Sequence, residues 1–412
     1  MIARHFLFWS EVLTTMKKIL IVGAGYLQSF IIKRARELGY YTLAIDKDPN
    51  AVGFKYADEY ESVDIVDQLA CLRYARSKGV DGVLTAATDY GVLSAAYIAR
   101  EMGLPGIDYE VAKIVKNKFM VRHILHAHGI DDMSQFYEID DVERLSKIAD
   151  SIRLPVMVKP CDGSGSTAAS RVDDIRNLKS ACVEAMAASL TGKAVIEDFI
   201  EGKEYGVESF VCNGEVHVLG VLGKSMTKPP CYTELGHWLP SDLGTAMEEK
   251  VKDTARRAIC ALGIQSGAVN MDVIVTKDGG VSIVDVGARM GGNLIGSHII
   301  PLGTGFDYVG NLIRCALGEP VTVEQCDSRM HVVTRILALA PGEIGVLPDL
   351  DVIERKHGVQ VFFWPKTGDV IRPYRTNRDG CGYVLAIASD PAEAENRADQ
   401  AKQEIDEMIV RR

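Results

Sequence analysis

The sequence predicts a doubly wound parallel α/β module at the N-terminus followed by an α+β body and a C-terminal α+β lobe. Three observations carry that expectation. Strand-length apolar runs alternate with helical patterns over residues 17–115, paired runs joined by Asn213-Gly214 and Asp278-Gly279-Gly280 follow over 116–325, and strands closed by one helix fill 326–412. Parallel strands need crossover helices, whereas short glycine turns join antiparallel neighbours.

The elements follow in order. Residues 19–22 form an apolar strand entering Gly23-Ala24-Gly25, after which Ile31, Ile32, Ala35 and Leu38 recur at helical spacing up to Gly39. A second strand over 42–45 ends at Asp46, and β/α pairs follow at 61–63 with 69–77 and at 82–85 with 92–102. Helices over 116–128 and 142–152 open the second body. Its strands are expected at 156–159, 194–197, 204–212, 215–222, 269–275 and 281–286. In the C-terminal lobe, strands at 331–338, 359–363 and 382–389 precede a helix over 391–409. Residues 1–16 hold Phe6-Leu7-Phe8-Trp9 with one basic residue before it and no small-residue cleavage site, so they read as an extension rather than a signal peptide.

Composition bounds the function. The chain has 412 residues, 47% hydrophobic and 25% charged, which excludes disordered and fibrous classes and suits two or three domains at roughly 150 residues each. A formal charge of −10 has the wrong sign for a protein held by nucleic-acid phosphates or anionic lipid. No apolar run approaches the roughly 18 residues of a membrane span. Nine cysteines, at 71, 161, 182, 212, 231, 260, 315, 326 and 381, never form CxxC, which fits reduced thiols in a cytoplasmic protein. A small anionic ligand must therefore be met by local donors.

Four stretches offer such donors or other chemistry. Gly23-Ala24-Gly25 with Asp46 about 20 residues on invites a dinucleotide reading, but Gln28 stands where the third glycine belongs, and the same glycines serve a plain βα turn. The 156–159 strand delivers Lys159 into Gly163-Ser164-Gly165-Ser166-Thr167, where a compact cation and unobstructed backbone N–H groups suit phosphate oxygens; a flexible surface loop is the plain alternative. Glu197-Asp198-Phe199-Ile200 ends a strand in exposed backbone able to read a purine edge, and Glu204 follows as a carboxylate able to accept ribose hydroxyls. Asp272 and Asp285 flank the Asp278-Gly279-Gly280 turn, which lets their strands pair with both carboxylates on one face. Such a pair at about 4 Å repels by roughly 4 kcal/mol at intermediate dielectric and calls for a cation, and oxygen ligands without histidine or cysteine favour Mg²⁺. Arg289 follows with a fork suited to a carboxylate or acyl phosphate. His123, His126 and His128 do not share a helix face, so no metal cluster is expected there.

In this order these stretches resemble the ATP-grasp superfamily, whose members activate a carboxylate with ATP to an acyl phosphate that an amine or other nucleophile attacks. The resemblance covers nearly the whole chain and implies an ATP-grasp domain over 116–325 with a small lid subdomain over about 116–198. It implies that Lys118 and Lys159 bind nucleotide phosphates, that Gly163 to Thr167 form the lid loop, and that Glu197 to Ile200 form the adenine hinge. Glu204 would accept the ribose, Asp272 and Asp285 would hold Mg²⁺ (or Mn²⁺), and Arg289 would steady the transferring groups, with Lys159, as catalytic residues. Two departures stand out: Asp285 is shorter than the usual glutamate, and Gly287 replaces an asparagine ligand. Glu234-Leu-Gly-His237-Trp-Leu-Pro240 and Ala288-Arg289-Met290-Gly291-Gly292 are similar to the branch that includes the L-amino-acid ligases. There Lys224, Glu234, His237, Gly291 and Gly292 would face the substrates; for His237 a packed, hydrogen-bonded histidine is the competing reading.

The expected activity is ADP-forming coupling of a small carboxylic acid to an amine, with small-molecule partners only and the homodimer common in that family. The alternatives are a bicarbonate- or formate-activating purine-pathway or biotin-carboxylase-like enzyme, a nucleotide-binding protein that has lost catalysis, and a nicotinamide oxidoreductase on Gly23 and Gly25. The C-terminal lobe is expected to complete the acceptor pocket, with Arg372, Arg375 and Arg378 as a solvated or interface patch.

Overall fold

A computed structural model of the chain describes residues 16–131, 133–163, 165, 167–228, 232–324 and 330–412. The N-terminal extension, bar Met16, lies outside the described residues, as do Ser164 and Ser166 of the glycine loop. Strands β1 (Lys18–Val22), β2 (Tyr41–Asp46), β3 (Glu59–Ser62) and β4 (Gly82–Leu84) form a parallel sheet in the order β3-β2-β1-β4. The strand β1 is apolar throughout because both its faces are covered. Ile19 and Ile21 join a core with Ile31 and Ile32 of the helix Tyr26–Glu37, while Leu20 and Val22 join another with Leu72 and Ile98.

The two residues that invite a dinucleotide are otherwise engaged. Gln28 is buried and donates to the Ala86 carbonyl (2.6 Å), filling the place the third glycine would leave open. Asp46 accepts from the backbone of Ala24 (2.8 Å) and Asp48 (3.0 Å), so it organises the βα turn rather than waiting for a ribose.

The second body holds two antiparallel sheets. In the smaller, β5 (Phe136–Ile139), β6 (Val156–Pro160), β7 (Ser170–Val172) and β8 (Ala194–Asp198) run in the order β5-β8-β6-β7. The helix Leu178–Ala188 backs them, and Val156, Val158, Cys182 and Ile196 close a core of their own. The expected helix over 116–128 starts later: Asn117 caps the helix Lys118–Ala127 by accepting from the Met120 N–H (3.1 Å), after a separate helix Tyr109–Val115. The capping amide ends one helix and begins the next.

The larger sheet contains β9 (Lys203–Cys212), β10 (Glu215–Met226), β11 (Glu234–Leu239), β12 (Gly267–Val275) and β13 (Val281–Gly287), and beyond them β14 (His331–Ile336), β16 (Val359–Phe363) and β18 (Gly382–Ala388). Its order is β13-β12-β9-β10-β11-β14-β18-β16, every pairing antiparallel. The C-terminal strands thus extend the same sheet through β11, a strand that local pattern did not reveal because Glu234, Gly236 and His237 interrupt its apolar alternation. A small sheet of β17 (Val370–Ile371), β15 (Gly342–Val346) and β19 (Val410–Arg411) completes the lobe. One core runs from Ile19 and Ile31 through Phe210, Phe306 and Tyr308 to Phe362 and Leu385, so the N-terminal module, larger sheet and C-terminal lobe share buried apolar surface. The described cysteines are free thiols, and no described helix is long and apolar enough to cross a membrane.

Candidate active site

A cavity of about 680 Å³ opens where the C-terminal end of β4 meets both antiparallel sheets. At one end Met133, Met157, Ile274 and Val284 line an apolar slot, and Phe199 and Ile200 pass along it between the end of β8 at Asp198 and the start of β9 at Lys203. Asp198 accepts from the backbone of Ser134 (2.6 Å) and Gln135 (3.1 Å), which pins that connection in place. Apolar side chains beside a half-buried strand connection suit a purine.

The lysines lie next to the slot. Because β6 pairs with β8, Lys159 reaches Glu197 (2.5 Å), and Glu197 also accepts from Arg122 Nε (2.7 Å). Arg122 lies one turn after Lys118 on the same helix face and donates to the carbonyls of Ile283 and Val284 as well. Although burial alone would raise it, Arg122 and Lys159 hold the Glu197 carboxyl down at about 2. Glu197, expected at the hinge, thus serves through its side chain as a counter-ion, while Asp198 to Ile200 supply the backbone. Lys118 pairs with Asp285 (2.5 Å). Gly163, Gly165 and Thr167 line the cavity beyond Lys159.

The hairpin forms as its turn implies, with Asp272 directly opposite Asp285. Each carboxylate meets a lysine. Lys224, buried, contacts Glu204 (2.6 Å), Glu234 (2.7 Å) and Asp272 (2.8 Å) together. One ammonium cannot neutralise three carboxylates. Burial, with Glu204 and Glu234 close by, pushes Asp272 up to about 6 against the pull of Lys224, while Glu234 stays well below the usual range because Lys224 and His237 outweigh its burial. Glu204, expected to take a ribose, commits Oε1 to Lys224. The surplus of negative charge favours a bound cation. Among the described residues no three acidic, histidine or cysteine side chains group for a metal, so the donor set is two hard oxygen ligands that suit Mg²⁺ only with phosphate and water oxygens completing it.

Arg289 and its partner join the modules. Its Nε and Nη2 donate to the two oxygens of Asp89 (3.1 and 3.0 Å), and Nη1 donates to Asn270 Oδ1 (3.0 Å). Asp89 follows β4, while Asn270 precedes Asp272 by two residues on β12 and so shares its face. The pair bears on Gly287: a Cβ there would lie 3.1 Å from both Asp89 Oδ1 and Arg289 Cζ, so any side chain would press on this bridge and need it to give by a few tenths of an ångström. Behind it, Glu208 accepts from Gly291 N (2.8 Å), Tyr308 (2.7 Å) and Asn270 (2.9 Å). Burial raises the Glu208 carboxyl to about 7 despite those donors. Gly291 therefore gives its N–H to the protein, whereas Gly292 lines the cavity.

At the far end His237 is fully buried, lines the cavity, and has no hydrogen-bond partner on either ring nitrogen; Nε2 stands 3.4 Å from Glu234 Oε1. It is not the satisfied core histidine of the competing reading. Glu234 also accepts from Asn377 (2.9 Å) and Asn293, and Tyr383 donates to Asn293 (3.0 Å). The C-terminal lobe thus builds one wall, and Arg378, read from sequence as part of a solvated patch, lines the cavity.

Asp89, Arg122, Glu208, Asn270, Asn293 and Asn377 were not singled out in the sequence. Two had a signal: Asp89 is a carboxylate at the C-terminal end of a parallel strand, where α/β sheets bind ligands, and Glu208 is a lone acid in an apolar strand.

Residues 152–297 match the ATP-grasp domain family, and residues 335–407 match L-amino acid ligase C-terminal domain 2. The protein y4rH of Sinorhizobium fredii, itself uncharacterised, is 26% identical over 398 residues, 92% of this chain and 80% of that protein. Carnosine synthase 1 of Homo sapiens is 23% identical over 347 residues; these are 77% of this chain but 42% of the synthase, so the chain spans about two-fifths of that relative. The crystal structure of L-amino acid ligase from Bacillus licheniformis superposes with a TM-score of 0.81 at 23% identity, covering 96% of this chain and 99% of that one. The chain carries an ATP-grasp domain over residues 152–297. Its C-terminal lobe is of the L-amino acid ligase type.

The Asp89–Arg289 bridge should be visible as acid sensitivity. Burial opposes ionisation of Asp89, yet Arg289 and the nearby lysines hold its pKa at about 2, below the unfolded value of about 3.9. A depressed carboxyl stabilises the folded state above the unfolded pKa, and that stability is lost as pH falls through the folded one. The melting-temperature gap between wild type and Asp89→Asn should stay constant above pH 5, correspond to about 2 kcal/mol, and close between about pH 4 and 2. A gap that widens on acidification contradicts the assignment.

Proposed function

We propose that the chain is an ADP-forming carboxylate–amine ligase that uses ATP to activate an amino acid or similar small acid and joins it to the amine of a second small molecule. The observation that carries this reading is one cavity lined by the apolar Met133, Met157, Ile274 and Val284, by Lys118 and Lys159, and by Arg289, Glu234 and His237. Asp272 and Asp285 line the same cavity and would hold Mg²⁺ or Mn²⁺; the ion, when bound, neutralises charge on phosphate oxygens.

The chemistry needs positioning more than covalent help. A donor carboxylate oxygen attacks the γ-phosphorus, the bond to the β-bridging oxygen breaks, and ADP departs. Lys118 and Lys159 exchange Asp285 and Glu197 for phosphate oxygens, and Arg289 steadies the acyl phosphate. The acceptor nitrogen then attacks the acyl carbon, the bond from that carbon to the phosphate oxygen breaks, and phosphate leaves with the electron pair. The ammonium proton passes to Glu234 or to the unpartnered ring of His237. The L-amino acid ligase type of the C-terminal lobe favours amino acids over bicarbonate.

Phosphate release from ATP, measured against paired amino acids, simple acids, formate and bicarbonate, tests the reading. Amino-acid-dependent ADP and phosphate are expected. AMP as product, or turnover with bicarbonate or formate alone, would overturn it; stabilisation by ATP without phosphate release in any combination would mean that catalysis has been lost.

A further inference from the structure

We propose that Arg378, with the hydroxyl of Tyr90, holds the carboxylate of the acceptor, so that the preferred amine is one that carries a carboxylate, as an amino acid does. This deepens the reading above and rests on it.

The argument begins with the charge of the cavity. Lys118, Lys159, Lys224, Arg289 and Arg378 all line it. Four of these cations already face carboxylates: Lys118 meets Asp285, Lys159 meets Glu197, Lys224 meets three acids, and Arg289 meets Asp89. Arg378 is the exception among the described residues. Its one hydrogen bond is a long one from Nη2 to Tyr90 Oη (3.4 Å), and its guanidinium carbon stands 5.8 Å from the centre of the Tyr90 ring. Its neighbour Asp379 does not neutralise it, because that carboxylate accepts from the backbone of Arg375 (3.1 Å) and Thr376 (2.8 Å) and closes a capping box. Lys116 Nζ, buried and without a hydrogen-bond partner, lies 5.3 Å from the same ring centre and adds positive potential.

The turn that presents Arg378 is ordered. Thr376 and Asp379 cap it, and Asn377 is drawn inward by Glu234 (2.9 Å). A fork at that position donates in the bidentate manner that matches a carboxylate better than a neutral amide. Placement selects which carboxylate. The donor's carboxylate is consumed at Arg289, deep in the cavity, whereas Arg378 is exposed at the mouth. An acceptor whose amine points in toward Glu234 and His237 leaves its carboxylate at that mouth.

The test uses the full chain, with ADP release measured for a panel of amino acids as acceptors and for their α-carboxamides. Wild type should prefer the free acid, and Arg378→Gln should raise the KM of the free acid roughly tenfold while changing that of the carboxamide, of ATP and of the donor less than about twofold. Arg378→Lys should recover part of the loss and Tyr90→Phe should cause a smaller one. An equal effect of Arg378→Gln on acid and carboxamide, or none on either, overturns this inference and leaves the ligase reading standing. Turnover with donor acids but with no amino-acid acceptor overturns both.

Discussion

Replacing Arg289 by alanine should lower kcat by about 10²–10³-fold while changing the KM for ATP less than about threefold. The asymmetry follows from position. Arg289 is fixed by Asp89 and Asn270, neither of which belongs to the expected adenine hinge, and only Nη2 keeps an N–H without a protein acceptor among the described residues. A group held that rigidly is pre-aimed at charge that develops on the acyl and phosphoryl oxygens, where stabilisation acts on the transition state rather than on nucleotide binding. Alanine also leaves the partly buried Asp89 without its partner, so Arg289→Lys is the necessary companion: it keeps the charge but not the fork. Lysine should restore stability more than turnover. A proportional loss of ATP affinity in both variants, with kcat unchanged, would place Arg289 in nucleotide binding.

What the sequence made legible was local, and what it hid was long-range. Asp272 and Asp285 were readable together because the Asp278-Gly279-Gly280 turn fixes register and strand alternation fixes the face, and they stand as direct partners. Lys159 was readable because a strand ends in a glycine loop. The Asp89–Arg289 bridge joins positions 200 residues apart and the contact of Arg378 with Tyr90 joins positions 288 apart, distances over which no periodicity operates. Glu197 reads as a hinge residue and its side chain is a buried counter-ion, while Arg378 reads as solvated and is exposed, yet it also lines the cavity. Gly287 shows how the two levels meet: it reads as a missing metal ligand, yet in space it is the residue that leaves room for Arg289 beside Asp89.

These pairings give the cavity's charges a consistent arrangement. Most lysines and arginines destined for phosphate or carboxylate oxygens rest on internal acids, so they are placed without unpaired buried charge. Ligand binding is then an exchange of anions. On the proposed reading, Asp285 would be released from Lys118 by that exchange and become available to a cation, which would couple nucleotide and metal binding.

The largest effect on stability should come from Arg122→Met. Arg122 is 1% exposed and touches Glu197, itself 2% exposed, together with the carbonyls of Ile283 and Val284, thereby tying the helix Lys118–Ala127 to both antiparallel sheets. Methionine matches much of the side-chain volume but leaves Glu197 buried with Lys159 as its remaining cationic partner. Removing one member of a buried ionic set typically costs about 3–5 kcal/mol, because the remaining charge keeps its desolvation penalty. The melting temperature should fall accordingly. Lys159, now the main counter-ion, should also be harder to surrender to a phosphate, so ATP should stabilise the variant less than it stabilises wild type. Arg122→Met combined with Glu197→Gln discriminates between lost packing and stranded charge. If the charge is the cause, neutralising Glu197 in the variant should restore part of the stability, with Asp131, the other buried carboxylate paired to Arg122 (3.4 Å), and Lys159 still charged. A double variant as unstable as the sum of both single changes would assign the loss to packing and to the carbonyl contacts of the guanidinium instead.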